Sequence, residues 1–185
     1  FSEYVPWFIK SHRQDLISQF GIPIDEYPKR CEEQISEWLD HAKVLESCKD
    51  INHQLSHEYA ASIMNALVTG ERCNVYGNVV NNGYIAQLPE KAAVEVECIV
   101  DESGIKPQPV KDIPLSLIAL MRTNINVQEL VVDALFKENR ESVYHAAMLD
   151  PHTAAELDLN QIRNMVDELI AEHGKWMPEW LQQLK

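Results

Sequence analysis

Hydrophobic positions recur every three to four residues along the first part of the chain, a spacing typical of helices that bury one face. A short helix is predicted over residues 13–20, and it is expected to end at Gly21, which tolerates a left-handed backbone. A long amphipathic helix with a charged outer face is predicted from about Tyr27. A third helix is expected to start at the capping residue Ser56 and to end at Gly70.

The spacing changes to alternate positions within residues 73–101, which is typical of strands with one buried side. The segments NVYGNVV and AAVEVECIV stand on either side of NNG (Asn81-Asn82-Gly83) and LPEK, and an Asn-Gly pair favours a tight turn between antiparallel strands. In the second segment the valines and Cys98 are expected on one side and the glutamates on the other. A weaker edge strand is predicted near residues 105–110, where two prolines interrupt the pattern.

Helical spacing returns after Pro114 and runs to about Phe136, and it appears again over residues 159–173. Asp150 and Pro151 suit the N-cap and the first turn of a helix between these two. The predicted fold class is therefore α+β, mostly helical, with a small antiparallel sheet in the middle of the chain.

The charge balance bears on possible partners, because 16 Lys and Arg stand against 29 Asp and Glu, for a net charge of −13. Nucleic acid is not expected as a partner, since phosphate binding needs a basic face. A membrane is not expected either, because no apolar run approaches the roughly 18 residues that span a bilayer. The chain begins at Phe1 without a leader sequence and has four widely spaced cysteines. We therefore expect a cut N-terminus, reduced thiols and a cytoplasmic location.

Local motifs of several enzyme classes are missing from the sequence. It contains no GxGxxG after a strand, no phosphate-binding loop, no GxSxG and no HExxH. His53 and His57 have the spacing of two ligands on a helix, but no third ligand stands at a suitable interval. We therefore predict neither cofactor-binding nor metal-binding residues in this chain.

Three polar features could carry chemistry instead. Tyr4 could act as a base if nearby cations lowered its pKa from about 10, or it could simply be a core aromatic. The amides of Asn81-Asn82-Gly83 could bind sugar hydroxyls, or this segment could serve only as a turn. The polar residues within 122–128 interrupt an apolar helix, so they either join elements or face a polar ligand.

A family resemblance rests on blocks that occur in order along the chain: FSEYVPWFIK, DEYPKRCEEQ, SHEYAASIMNAL, NVYGNVVNNGYIAQLP, LMRTNINVQ and VYHAAMLDPHTAAEL. Together they resemble the C-terminal portion of glycoside hydrolase family 4, specifically its melibiase-type α-galactosidases. The resemblance implies a fold like the C-terminal domain of lactate and malate dehydrogenases. It also implies that residues 1–185 form the substrate-binding and catalytic domain, and that an N-terminal Rossmann NAD-binding domain of the same protein is absent from this chain.

The same resemblance implies an activity. Family members hydrolyse α-galactosides such as melibiose with NAD and Mn²⁺, through oxidation, elimination, addition and reduction. Tyr4 matches the position of the family's tyrosine base, and Asn81 and Gly83 match its N-x-G turn near the sugar. The metal-binding Cys and His of the family have no counterpart here, so this chain alone is expected to bind neither NAD nor metal and to be inactive.

Other classes of function remain open. The chain could be a carbohydrate-binding module, or an oligomerisation domain whose apolar helices and late aromatics such as Trp176 and Trp180 bury against a second subunit. A homo-oligomer is expected in either the enzyme or the oligomerisation reading. The preferred sugar also stays open between galactose, glucose and galacturonate.

Overall fold

The computed structural model describes residues 7, 9–47 and 56–182. Tyr4 lies outside the described residues. The chain divides into two compact units, whose main segments are Trp7–Glu58 and Tyr59–Lys185. None of the helices in the described part of the chain combines the length and the apolar composition that a bilayer-spanning segment requires.

The first unit contains the helices α1 (Gln14–Phe20) and α2 (Glu26–Ser47), and both confirm the predicted helices. Gly21 ends α1 in the left-handed conformation, at φ 59°. On α2 the guanidinium of Arg30 lies 2.5 Å from the Glu26 carboxylate, one turn away. No residue of α2 is buried, and the side chain of Trp38 in its apolar stripe is 67% exposed. The helix is therefore amphipathic, as predicted, but described residues do not cover its apolar side.

The second unit carries the sheet and the remaining helices. Its elements are α3 (Ala60–Thr69), β1 (Cys73–Val80), β2 (Ala93–Asp101), β3 (Gly104–Pro107), α4 (Leu115–Lys137), α5 (Arg140–Leu149), α6 (Pro151–Glu156), α7 (Leu159–His173), a 3₁₀ turn (Gly174–Trp176) and α8 (Glu179–Gln182). The strands form one antiparallel sheet in the order β1-β2-β3. The α+β class, mostly helical with a small antiparallel sheet, is therefore confirmed.

The predicted start of α3 is wrong by one turn. The Ser56 hydroxyl accepts a hydrogen bond from the Glu58 backbone at 3.4 Å, which forms a local turn, and the helix begins only at Ala60. The predicted end is correct, because Gly70 follows the helix at φ 78°.

The sheet buries one face, as the alternation predicted. Val96, Cys98 and Val100 of β2 are each at most 1% exposed, while Glu95 lies on the opposite side. Helices α3 and α4 supply the facing apolar residues, among them Ala66 and Ile118. Burial of this face is the main stabilising contribution to this part of the unit.

The predicted tight turn between β1 and β2 is wrong. Strand pairing ends with a hydrogen bond from the backbone N–H of Asn81 to the Ala92 carbonyl at 2.8 Å, and residues 81–92 form a longer loop. Asn82 and Gly83 keep the positive φ angles of a turn, at 42° and 87°. The loop replaces the tight turn because the Asn81 side chain organises the backbone that follows it.

Helix boundaries in the C-terminal half follow local chemistry. The Asp150 carboxylate accepts a hydrogen bond from the Thr153 backbone at 2.8 Å, and Pro151 occupies the first turn of α6. Asp158 forms a capping box with Gln161 at the start of α7, and Gly174 ends that helix. The predicted cap at Asp150 and the predicted span of α7 are both confirmed.

A polar network joins α5, α7 and α8 around a small apolar cluster. The guanidinium of Arg140 donates to the Tyr144 hydroxyl at 2.9 Å, the Leu181 carbonyl at 2.9 Å and the Asp167 carboxylate at 2.7 Å. The Tyr144 hydroxyl also donates to Asp167. The hydrogen bond from Tyr144, and after it the one from Arg140, hold the pKa of Asp167 below its usual value.

Asp167→Asn should lower the free energy of unfolding by about 1 kcal/mol at neutral pH, a figure reduced because the carboxylate is 46% exposed. The folded-state pKa is depressed, so the carboxylate contributes above the unfolded pKa of about 3.9 and loses that contribution as the pH falls through the folded pKa. Urea unfolding from about pH 7 to about pH 3 should show the difference between parent and variant shrinking in acid.

The matched control is Glu141→Gln, which removes an exposed pair with Arg163 at 3.0 Å. It should cost only a few tenths of a kcal/mol. Equal losses at the two positions, or a difference independent of pH, would contradict the role given to Asp167.

Candidate functional site

The loop 81–92 holds two of the three predicted site residues, Asn81 and Gly83, between the ends of β1 and β2. The third, Tyr4, lies outside the described residues. The polar stretch of α4 also reaches this loop, through Arg122. These segments form the candidate site that the described residues support.

The carboxamide of Asn81 is the centre of the loop. Its side chain is 0% exposed. The nitrogen Nδ2 lies 3.0 Å from the Ile85 carbonyl, 3.1 Å from that of Leu88 and 3.0 Å from that of Pro89, and it donates to this group of oxygens. The oxygen Oδ1 accepts from the Ile85 backbone at 2.7 Å. One buried side chain therefore satisfies backbone groups along most of the loop.

Apolar residues fix the same loop to the core. Ile85 and Leu88 are each 6% exposed and belong to the cluster that the sheet, α3 and α4 share. The Val110 backbone donates to the Tyr84 carbonyl at 2.8 Å, which ties the loop to the segment after β3. Other residues of the loop, including Gly83 and Gln87, are exposed to solvent. The loop thus presents a fixed backbone outward.

Arg122 connects α4 to the loop. Its Nε and Nη2 atoms donate to the Gln87 carbonyl at 3.2 and 2.7 Å. For Arg122 the structure thus favours the first of the two open interpretations, in which polar residues of α4 join elements. Sequence spacing could not show this contact, because the two residues are far apart along the chain.

Gly83 and Asn81 differ in their exposure to solvent. Gly83 is exposed, and a Cβ built on it would have no atom within 4 Å, so ligand atoms have open access to its backbone. The Asn81 side chain is fully buried and already bonded to the loop. Sugar contact by either residue stays a prediction, and the geometry gives Asn81 a positioning role.

A groove of about 480 Å³, which no sequence pattern indicated, lies beside the loop. One wall comes from the end of the loop and the first residue of β2, and the other comes from α4. The lining residues are Lys91, Ala92, Ala93, Ile125, Gln128, Glu129, Val132, Asp133 and Phe136. Charged and amide groups there alternate with apolar ones. No single stretch of sequence indicates the groove, because its two walls are distant along the chain.

The described residues do not fit a manganese site. Among them, no group of three His, Cys, Asp or Glu side chains is arranged to hold a metal ion. Cys31, Cys73 and Cys98 are free thiols. We therefore assign no chemical step to a metal at these residues.

Comparisons with known proteins agree on one family. The sequence profile of the family 4 glycosyl hydrolase C-terminal domain matches residues 1–153. The α-galactosidase of Bacillus subtilis (strain 168) is 45% identical over 97% of this chain and 41% of its own length. The α-galactosidase of Rhizobium meliloti (strain 1021) is 29% identical over 97% of this chain and 38% of its own length. The chain spans about two fifths of these curated relatives.

The fold also has a counterpart among solved structures. A 6-phospho-β-glucosidase from Thermotoga maritima, solved with manganese, NAD⁺ and glucose-6-phosphate, superposes with a TM-score of 0.64. The superposition covers 89% of this chain and 39% of that protein, at 16% identity. At this identity the likeness establishes the fold, in agreement with the architecture predicted from the resemblance.

Asn81→Ala should lower the free energy of unfolding by about 2 to 4 kcal/mol. It leaves the buried carbonyls of the loop and the backbone N–H of Ile85 without hydrogen-bond partners. Chemical denaturation of the purified chain measures the loss. The neighbouring change Asn82→Gly is the matched control. It keeps the positive φ of 42° at an exposed position and should be nearly neutral. Similar stability of both variants would remove the organising role given to Asn81.

Proposed function

The chain belongs to family 4 of the glycosyl hydrolases, through the C-terminal domain of that family, and from this premise we propose that it is the C-terminal part of an α-galactosidase. The observation that carries the proposal is 45% identity to the Bacillus subtilis α-galactosidase over nearly the whole chain. The second curated relative is also an α-galactosidase. The proposed substrate class is therefore α-galactosides such as melibiose.

The proposal includes a division of labour along the protein. Because the chain spans about two fifths of its relatives, we infer that an N-terminal NAD-binding domain of the same protein supplies the rest. NAD and Mn²⁺ are the proposed cofactors, and the related Thermotoga maritima structure contains both. We place their binding groups outside the described residues, whose side chains offer no suitable metal donor set.

Residues 1–185 are assigned the sugar side of the reaction, within the oxidation, elimination, addition and reduction that the family resemblance implies. The loop 81–92 is the proposed sugar-contacting surface, with the backbone at Gly83 open to a ligand and the Asn81 carboxamide holding that backbone in place. A fixed backbone can orient sugar hydroxyls without a further ordering cost on binding. Tyr4 is proposed as the base, and cations near its hydroxyl would have to lower its pKa of about 10.

Further expectations belong to the same proposal. A homo-oligomer is proposed, and so is a cytoplasmic location, where free thiols such as those of Cys31, Cys73 and Cys98 stay reduced. The alternative role as an oligomerisation or carbohydrate-binding module differs in one respect: it requires no catalytic activity from the longer protein.

The 185-residue chain alone should neither bind NAD nor hydrolyse a nitrophenyl α-galactoside, whereas the longer protein with Mn²⁺ should do both. Release of nitrophenol and fluorescence titration with NADH measure the two properties. Tyr4→Phe in the longer protein is the matched variant, expected to lose at least 100-fold in kcat at nearly unchanged NAD affinity.

Turnover by the isolated chain would contradict the division of labour. Unchanged turnover in Tyr4→Phe would remove that residue from the mechanism. Preference of the longer protein for an α-glucoside over an α-galactoside would contradict the proposed substrate class.

Gly83→Ala in the longer protein should raise KM for the galactoside about 3- to 10-fold and change kcat less, since the new Cβ occupies space proposed for the sugar and strains a residue at φ 87°. Steady-state kinetics measure both constants. Gly104→Ala is the matched control, since Gly104 also has positive φ, at 112°, and open space around it, but lies in the turn between β2 and β3. Equal effects of the two changes would indicate backbone strain alone and would remove Gly83 from the proposed sugar surface.

A further inference from the structure

The loop 81–92 brings the backbone at Gly83 close to the groove beside it. The Asn82 backbone donates to the Glu90 carbonyl at 2.9 Å, which joins the two sides of the loop. Gly83 follows the first of these residues, and Lys91, which lines the groove, follows the second. Given this bond and the fixed Cα spacing of the chain, the Cα atoms of Gly83 and Lys91 lie within roughly 11 Å of each other. The proposed sugar surface and the groove are therefore neighbours within the second unit.

One side of α4 borders both the loop and the groove. Arg122 donates to the Gln87 carbonyl of the loop. Ile125, Val132 and Phe136 follow Arg122 at helical spacing, and all three line the groove. The side chain of Val132 is 50% exposed and that of Phe136 is 87% exposed. The helix thus continues from its contact with the loop into an accessible apolar stripe that includes an aromatic ring.

The groove combines this apolar surface with groups that form hydrogen bonds. Gln128 and Glu129 of α4 and Lys91 of the loop line it and are exposed. The carboxylate of Asp133, also in the lining, is paired with Lys137 at 2.6 Å. With two carboxylates and one ammonium group in its lining, the groove favours a neutral ligand over an anion such as a phosphorylated sugar.

A sugar ring has the character that this lining would match. Its C–H faces pack on apolar and aromatic surface, and its hydroxyls exchange hydrogen bonds with amide, carboxylate and ammonium groups. The groove volume of about 480 Å³ lies within the range of small-molecule sites, about 300 to 1,000 Å³. An uncharged hexose therefore fits the groove in size, charge and polarity.

We propose that this groove binds the leaving-group sugar of an α-galactoside, with Gln128 and Lys91 binding its hydroxyls. The inference rests on the proposed function, because it takes the galactosyl ring to occupy the surface at Gly83. The hexose that is released then lies in the groove, against Val132 and Phe136. The groove makes the protein selective for α-galactosides whose leaving group is itself an uncharged sugar.

The test uses the longer protein with NAD and Mn²⁺ and compares two substrates that share the galactosyl ring. The leaving group of melibiose is a hexose, whereas that of a nitrophenyl α-galactoside carries one phenolic oxygen and no ring of hydroxyls. Gln128→Ala should lower kcat/KM for melibiose about 10-fold, mainly through KM, and that for the nitrophenyl substrate about 2-fold at most. Lys91→Ala, on the other wall of the groove, should change the ratio of the two constants in the same direction.

Asn126→Ala is the matched control, because it removes an exposed amide of the same helix that does not line the groove. It should leave the ratio unchanged. Equal losses on the two substrates, as expected if an N-terminal domain covers the groove, would overturn the inference, and so would no loss on either. A longer protein that hydrolyses neither substrate would overturn the proposed function and the inference with it.

Discussion

The buried carboxamide of Asn81 is the constraint on which the centre of this fold depends. It stands where β1 ends, and its own backbone closes the ladder with Ala92 at the start of β2. Its side-chain oxygen accepts a hydrogen bond from the Ile85 backbone N–H. Its side-chain nitrogen donates to the carbonyls of Ile85, Leu88 and Pro89. A buried amide without such partners would cost several kcal/mol. The loop can therefore be longer than a tight turn and still have one conformation.

The position of the loop also determines how the helix α4 relates to the sheet. Arg122 donates to the Gln87 carbonyl, while Ile125, one turn further, packs into the same core as Ile85 and Leu88. The polar contact and the apolar contacts lie on one side of the helix, so they fix its rotation together. The groove beside the loop follows from this rotation, because α4 then directs Gln128 and Val132 toward the start of β2.

Local patterns predicted the elements that depend on local chemistry. The alternation in AAVEVECIV gave the buried face of β2, and the pair Asp150-Pro151 marked the start of α6, because each depends on residues adjacent in sequence. The loop 81–92 was missed for the opposite reason. An Asn-Gly pair has the same local preference in a two-residue turn and in a longer loop. The choice depends on carbonyls up to Pro89 and on a guanidinium from α4, which spacing does not reveal. The candidate role of Tyr4 came from family resemblance, and no local pattern distinguishes a catalytic tyrosine from a core one.

The register of β1 against β2 determines both how the loop 81–92 is held and which backbone groups of β1 face away from the sheet. Odd-numbered residues of β1 bond to β2 and direct their side chains to the buried face, so Asn81, the next odd-numbered position, is directed into the core. The same parity leaves the backbone groups of the even-numbered residues, such as Tyr76, facing away from the sheet. A shift of β1 by one residue would turn its side chains to the opposite faces of the sheet. The Asn81 carboxamide would become exposed, the loop carbonyls would lose their donors, and Tyr76 and Asn78 would be buried. The burial of Asn81 thus opposes any slip of β1 relative to β2.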